Sequence, residues 1–135
     1  MTVTTNSEAE TEEAAIDLAA TLIPGAVVLL YGDLGAGKTA FTRGLALGLG
    51  VDAADVSSPT FTIMQEYRGG RVPLYHVDLF RLNDPREIDD LGLEELASDG
   101  VLAIEWADKL PRSIAGAIAV RIVHQPGDRR TLTIG

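Results

Sequence analysis

Apolar positions change period several times along this chain, and each change marks an element. Residues 1–7, MTVTTNS, are polar without a clear period and read as a flexible N-terminus. From Glu8 onward, Ile16, Ala19, Ala20 and Ile23 recur at helical spacing. Ser7 stands where an N-cap belongs with Glu10 three residues on, Thr11 offers a second start, and Pro24-Gly25 ends the helix. AVVLLY (26–31) is a continuous apolar run of strand length, as expected for a strand covered on both faces. Phe41, Leu45 and Leu49 place one face on a helix from Thr39 to Leu49, with Gly50 as its C-terminal glycine. SSPTF turns into TIMQEY, and the RGGR turn at 68–71 joins that run to VPLYHVDLF as an antiparallel hairpin. Pro85 opens the acidic segment REIDDLGLEELASDG, which reads as one or two short helices. VLAIEW (101–106) is a second buried strand, and AIAVRIVHQPGDRRTLTI alternates on both sides of Pro126-Gly127-Asp128 as a closing hairpin. The expected fold is α/β: one domain over residues 8–135, with a mixed parallel and antiparallel sheet, flanking helices and a C-terminal β-hairpin.

Composition narrows the function classes. With 135 residues, 46% of them hydrophobic and 23% charged, the chain fits one globular domain. No apolar run is long enough to cross a bilayer and no signal-peptide pattern is visible. The absence of cysteine excludes disulfides and thiolate metal sites. Twenty acidic residues against eleven basic ones give a net charge of −9. A protein that grips nucleic acid unaided needs a basic face to displace counterions, and only two lysines, Lys38 and Lys109, are present. Any RNA in this protein's work is therefore expected to be held by a partner.

The chemistry begins at Gly32-Asp-Leu-Gly-Ala-Gly37-Lys38-Thr39, a full match to G-x-x-x-x-G-K-[ST] between a buried strand and a helix. Gly32, Gly35 and Gly37 allow the backbone to turn tightly and bring its N–H groups, including that of Ala36, close to phosphate oxygens. The positive end of the following helix, from Lys38 to Ala40, adds to that field. Lys38 has the reach for β- and γ-phosphates, and the Thr39 hydroxyl suits Mg²⁺. A carboxylate at a neighbouring strand end is then required, and both Asp78 of PLYHVD and Glu105 of VLAIE qualify, as a metal ligand or as the group orienting a water. His76 alternates with Asp78 along its strand and reads first as a structural histidine. Trp106 suits stacking on a base or partner as well as ordinary packing. Thr60, in SSPTF, lies in a loop between helix and strand where nucleotide-sensing segments sit.

No N-K-x-D base-reading sequence of a GTPase occurs, and little length is spare for a kinase lid or acceptor site. Two other readings stand beside a minimal ATPase: a non-catalytic, nucleotide-gated binding module and a minimal kinase. Taken in order, GDLGAGKT, SSPTFT, YHVDLFRL, LGLEEL and IEW span most of the chain and resemble the TsaE family, the bacterial ATPase of tRNA threonylcarbamoyladenosine synthesis. Val77 and Phe80 replace the aromatics of the more usual HFDLYRL. The resemblance implies a P-loop NTPase fold, ATP/ADP and Mg²⁺ as cofactors, a cytoplasmic location, and partnership with a TsaB–TsaD complex whose turnover the ATP cycle supports. It also implies roles: Lys38 on phosphate, Thr39 and Glu105 on magnesium, Asp78 in hydrolysis, Thr60 in a switch-like loop and Trp106 beside the nucleotide. Thr11 and the Arg129–Arg130 pair match positions at the adenine end, and an arginine finger would come from Arg43, Arg81 or a partner.

The charge balance yields the first prediction. Purified alone, the protein is expected to bind ATP in a calorimetric titration but to hold tRNA only feebly in a filter or mobility assay. Tight, salt-sensitive tRNA binding by the isolated chain would overturn this reading.

Overall fold

Strands β2 (Val27–Tyr31), β4 (Leu74–Asp78) and β5 (Val101–Glu105) are apolar on both sides along most of their length, and such strands need cover on both faces. In the computed structural model, which describes residues 1–33, 37–52 and 64–135 apart from the Leu96 side chain, they form the middle of a seven-stranded sheet ordered β1-β7-β6-β2-β5-β4-β3. β2 runs parallel to both β5 and β6 (Ile118–His124), and β4 runs parallel to β5. Both margins are antiparallel: β3 (Met64–Tyr67) on β4, and β7 (Arg130–Ile134) on β6. The α/β class, the mixed sheet and the C-terminal hairpin are thus as the sequence predicts.

Side-chain alternation divides the core into two layers. Val28 and Leu30 of β2 point to the layer containing α1 (Glu8–Ala19) and α2 (Lys38–Leu49), where Phe41 and Leu45 are fully buried. Val27 and Leu29 point the other way, toward Ile88 of α3 (Pro85–Asp90) and Leu93 of α4 (Leu93–Leu96). Each fully buried Phe or Leu contributes roughly 2 kcal/mol from apolar area removed from water. Helix ends follow local chemistry. Ser7 caps α1 by accepting from Glu10 N at 3.1 Å, and Gly50 ends α2 at φ +89°. Asp84 caps α3, and the Arg86 backbone N–H and side chain beside it hold the Asp84 carboxyl below its ordinary value.

Two details differ from the sequence pattern. Residues 2–5 are not frayed: Thr2–Thr5 form β1, an edge strand antiparallel to β7. Their polarity hid the strand because an edge strand with one wet face needs no apolar run. The threonines have the branched Cβ that strands favour, and Thr5, 2% exposed, seats its hydroxyl against Thr11. The buried face of α1 is also displaced from the predicted Ile16–Ile23 stripe to Thr11, Ala15 and Ala19, leaving Ile23 72% exposed.

Small side chains explain that rotation. A Cβ added at Gly44 of α2 would lie 2.3 Å from the Glu12 carbonyl oxygen and 2.6 Å from Ala15 Cβ, and one at Gly48 would lie 2.5 Å from Ala19 Cβ. Two glycines one helical turn apart thus let α1 and α2 touch nearly backbone to backbone, which bulkier isoleucines would prevent. Gly44→Ala gains about 1 kcal/mol of helix propensity but forces the helices apart, at a cost of about 1–3 kcal/mol. A net loss of up to about 2 kcal/mol is expected in urea unfolding, and a raised midpoint would show that the close approach is not required.

Candidate functional site

Parallel strands bring their C-terminal ends to one edge of the sheet, and the site forms there. β2 ends at Tyr31, and α2 begins immediately after Gly37, whose φ of +111° and ψ of +14° lie in the left-handed region that suits glycine. The N-cap position is Gly37, and among the described residues no side chain caps the first turn of α2. A helix start of this kind, with its N–H groups and positive dipole end, suits an anion. Lys38, the first residue of the helix, is only 5% exposed. Its ammonium donates to the Gly32 carbonyl at 2.8 Å and lies 4.4 Å from the centre of the Trp106 ring. Among the described residues no carboxylate forms an ion pair with it. A buried charge without a counterion is expensive, by several kcal/mol, and one carbonyl and one ring face offset only part of that.

Strand register sets the acidic side of the site. Asp78, the last residue of β4, is paired directly with Glu105, the last residue of β5, and Leu79 N donates to Glu105 O at 3.2 Å. Glu105 is 4% exposed, and its Oε2 accepts from His76 Nε2 at 2.7 Å. Asp78 Oδ1 accepts from Phe80 N at 2.9 Å, an arrangement that bends the chain as it leaves the strand. The next residue after Glu105 is Trp106, which among the described residues is the one non-glycine position with positive φ, at +58°. That turn brings the indole over Lys38, with the Phe80 ring 5.0 Å from it. A cleft of about 290 Å³ results, lined by Lys38, Thr39, Arg43, Asp78, Glu105 and Trp106 among others.

Of the residues singled out in the sequence, Gly37, Lys38, Thr39, Ala40, Asp78, Glu105 and Trp106 all line this cleft. Arg130 lies against its rim, with Nε 3.6 Å from where a Cβ on Gly37 would be. Arg129 is exposed on the hairpin, and Arg81 is exposed on the turn after β4. Arg43 reaches the cleft but is ion-paired with Glu12 at 3.2 Å and approaches Glu8 at 3.9 Å. Thr11 is not in the lining: it is 1% exposed, and its hydroxyl bonds to Thr5 Oγ1 at 2.7 Å and the Ser7 carbonyl at 3.2 Å. Glu8, one turn earlier on α1, occupies the cleft wall instead. Gly35, Ala36 and Thr60 lie outside the described residues. The sequence reading missed one residue of the cleft wall: Glu8 gave no signal, being one acid among many on α1. His76 is the structural histidine the sequence suggests, buried and hydrogen-bonded, but its partner is on another strand.

The donor set suits a hard divalent cation held together with a phosphate. Glu105 offers a carboxylate at the cleft, Thr39 stands in the first turn of α2, and Asp78 flanks Glu105. Among the described residues no group of three or more His, Asp or Glu forms a cage. Magnesium needs none, since it keeps several waters and takes phosphate oxygens beside one or two protein ligands.

Comparison with known proteins gives the family of the chain. The sequence model of the family described as "Threonylcarbamoyl adenosine biosynthesis protein TsaE" matches residues 5–132. The chain belongs to the TsaE family. It is 45% identical over 126 residues to the tRNA threonylcarbamoyladenosine biosynthesis protein TsaE of Bacillus subtilis (strain 168), covering 93% of this chain and 77% of that protein. It is 47% identical over 113 residues to the protein of the same name from Nostoc sp. (strain PCC 7120), covering 79% and 68%. The crystal structure of Bacillus subtilis YdiB superposes with a TM-score of 0.74 at 36% identity, over 99% of this chain and 83% of that one. Within the TsaE-family segments, YHVD forms the end of β4 and IE the end of β5, and GKT opens α2.

Lys38 generates the prediction for this site. Replacing its ammonium by the similar-sized apolar chain in Lys38→Met is expected to raise stability in anion-free urea unfolding by about 1 kcal/mol. The same substitution is expected to abolish the rise in melting temperature that pyrophosphate gives the natural protein. A large loss of stability without anions, or retained pyrophosphate stabilisation, would contradict the role assigned to the ammonium.

Proposed function

We propose that this protein binds and hydrolyses ATP with Mg²⁺, and that its ATP cycle supports turnover of a TsaB–TsaD complex in the threonylcarbamoyladenosine modification of tRNA. The observation that carries the nucleotide part is the buried ammonium of Lys38 at the start of α2, with no counterion among the described residues. The pathway rests on TsaE-family membership and on relatives named for tRNA threonylcarbamoyladenosine biosynthesis.

In this mechanism the α2 amides and Lys38 hold the β- and γ-phosphates and neutralise the charge that develops between them. Thr39 and Glu105 are the residues that would hold Mg²⁺, which supplies electrostatic stabilisation of the phosphate oxygens. Asp78, or Thr60 from the segment outside the described residues, orients a water for attack on the γ-phosphorus. Trp106 walls the cleft beside the phosphates. Arg130, at the rim by Gly37, and Thr11, behind the first turn of α1, serve the adenine end, the latter through the placement of its helix. Arg43 is already paired with acidic residues of α1, which favours a partner as the source of any arginine finger.

Partner dependence fits the charge: at −9, the chain works beside tRNA only if another protein carries it. No helix among the described residues is long and apolar enough to cross a membrane, and the proposed place of work is the cytoplasm. Phosphate release measured with and without TsaB–TsaD tests the proposal directly. Low activity alone, stimulated by the complex, is expected. Glu105→Ala should lower the single-turnover rate about 100-fold or more while leaving ADP affinity within about 10-fold, and survival of full ATPase activity would remove Glu105 from the metal site.

A further inference from the structure

We infer that His76 is a positioning residue for Glu105, presenting one carboxylate oxygen of that side chain to the metal side of the cleft. The inference rests on the reading of Glu105 given above and adds a residue to it. His76 stands at the centre of β4 and is fully buried. Directly opposite it on β5 is Ala103, also fully buried, whose small side chain leaves the ring room to reach the next residue on the same face, Glu105. Nε2 comes within 2.7 Å of Glu105 Oε2, whereas Nδ1 is buried with no hydrogen-bond partner among the described residues.

That asymmetry fixes the chemistry of the ring. A buried N–H without an acceptor is rarer and costlier than a buried lone pair without a donor. Nε2 is therefore a nitrogen that carries a hydrogen, and it donates to Glu105 Oε2. A side chain that only fills the core would do so better without a polar nitrogen; what the imidazole adds is its bond to Glu105. With Oε2 held from behind, Glu105 cannot rotate freely, and Oε1 is the oxygen left to face the cleft that Glu105 lines. Residues that orient a metal's carboxylate in this way commonly alter metal affinity by 10- to 100-fold when replaced.

The test measures binding of the non-hydrolysable ATP analogue AMP-PNP by calorimetry, in Mg²⁺ and in EDTA. The ratio of the two dissociation constants reports metal coupling without turnover. A glutamine amide nitrogen reaches the place of Nε2, whereas asparagine ends near the place of Nδ1. His76→Gln is expected to keep the natural ratio within about threefold, and His76→Asn to lose about 10-fold of it with the EDTA constant unchanged. In a Glu105→Ala background, His76→Asn should change the ratio no further. A natural ratio in His76→Asn, an equal loss in His76→Gln, or a further loss in the double variant would overturn the positioning role alone. If His76→Asn does not fold, His76→Gln decides: a ratio near natural supports the role, and one at the Glu105→Ala level overturns it. A natural protein whose AMP-PNP affinity is the same in Mg²⁺ and EDTA would overturn the metal reading and this inference with it.

Discussion

The desolvated ammonium of Lys38 is the constraint around which the site is arranged. A cation at 5% exposure survives in a fold only where its surroundings are electron-rich, and here they are assembled from three directions. Gly32 at the end of β2 contributes a carbonyl, and Trp106 at the end of β5 contributes a ring face. The third direction is the cleft itself, open to an anion. The α2 dipole by itself disfavours a cation at its N-terminus, and among the described residues no carboxylate pairs with this lysine to offset it.

Placing that lysine requires α2 to start at a fixed height over the strand ends, and the α1–α2 contact does this. Gly44 and Gly48 let α1 settle against α2, and α1 in turn presents Glu8 and Glu12 to Arg43 on the same helix as Lys38. Arg71 reinforces the far end by donating to the Ala19 and Leu22 carbonyls, at 2.6 and 3.0 Å. The first turn of α2 therefore gives Lys38 and Thr39 to the cleft, while Phe41, Leu45 and the two glycines farther along hold the helix down.

What the sequence shows of this depends on range. Within single segments the patterns are strong: the apolar runs of β2 and β5, the alternation of β6 and β7, and the caps at Ser7, Gly50 and Asp84 are local signals. The glycine loop and the two carboxylates after apolar runs are also readable, because parallel strands always deliver their C-terminal residues to one edge. Contacts between segments are not. The Thr5–Thr11 hydroxyl pair, which turns Thr11 inward, depends on β1 finding the free edge of β7. The buried stripe of α1 depends on glycines some 30 residues later, as counted from Ala15 to Gly44. His76 and Glu105 are separated by 29 residues, and only the β4–β5 register brings them together.

The same register makes the two acidic strand ends one mechanical unit. Leu79 N bonds to Glu105 O, tying the exit of β4 to the last residue of β5. Lys109, in the 3-10 turn Ala107–Lys109 that follows β5, reaches back to the Phe80 and Leu82 carbonyls at 2.6 and 3.1 Å. Phe80 meets Trp106 between them. Both lysines of this acidic chain are thus spent at the same edge, one facing the cleft and one fastening the turns behind it. The left-handed backbone at Trp106, worth about 1–2 kcal/mol of strain in a non-glycine residue, is held by these contacts on either side of it. From Lys38 the contacts thus run without a break through the Trp106 ring and Phe80 to Lys109, which holds the turn after Asp78 against the turn after Glu105.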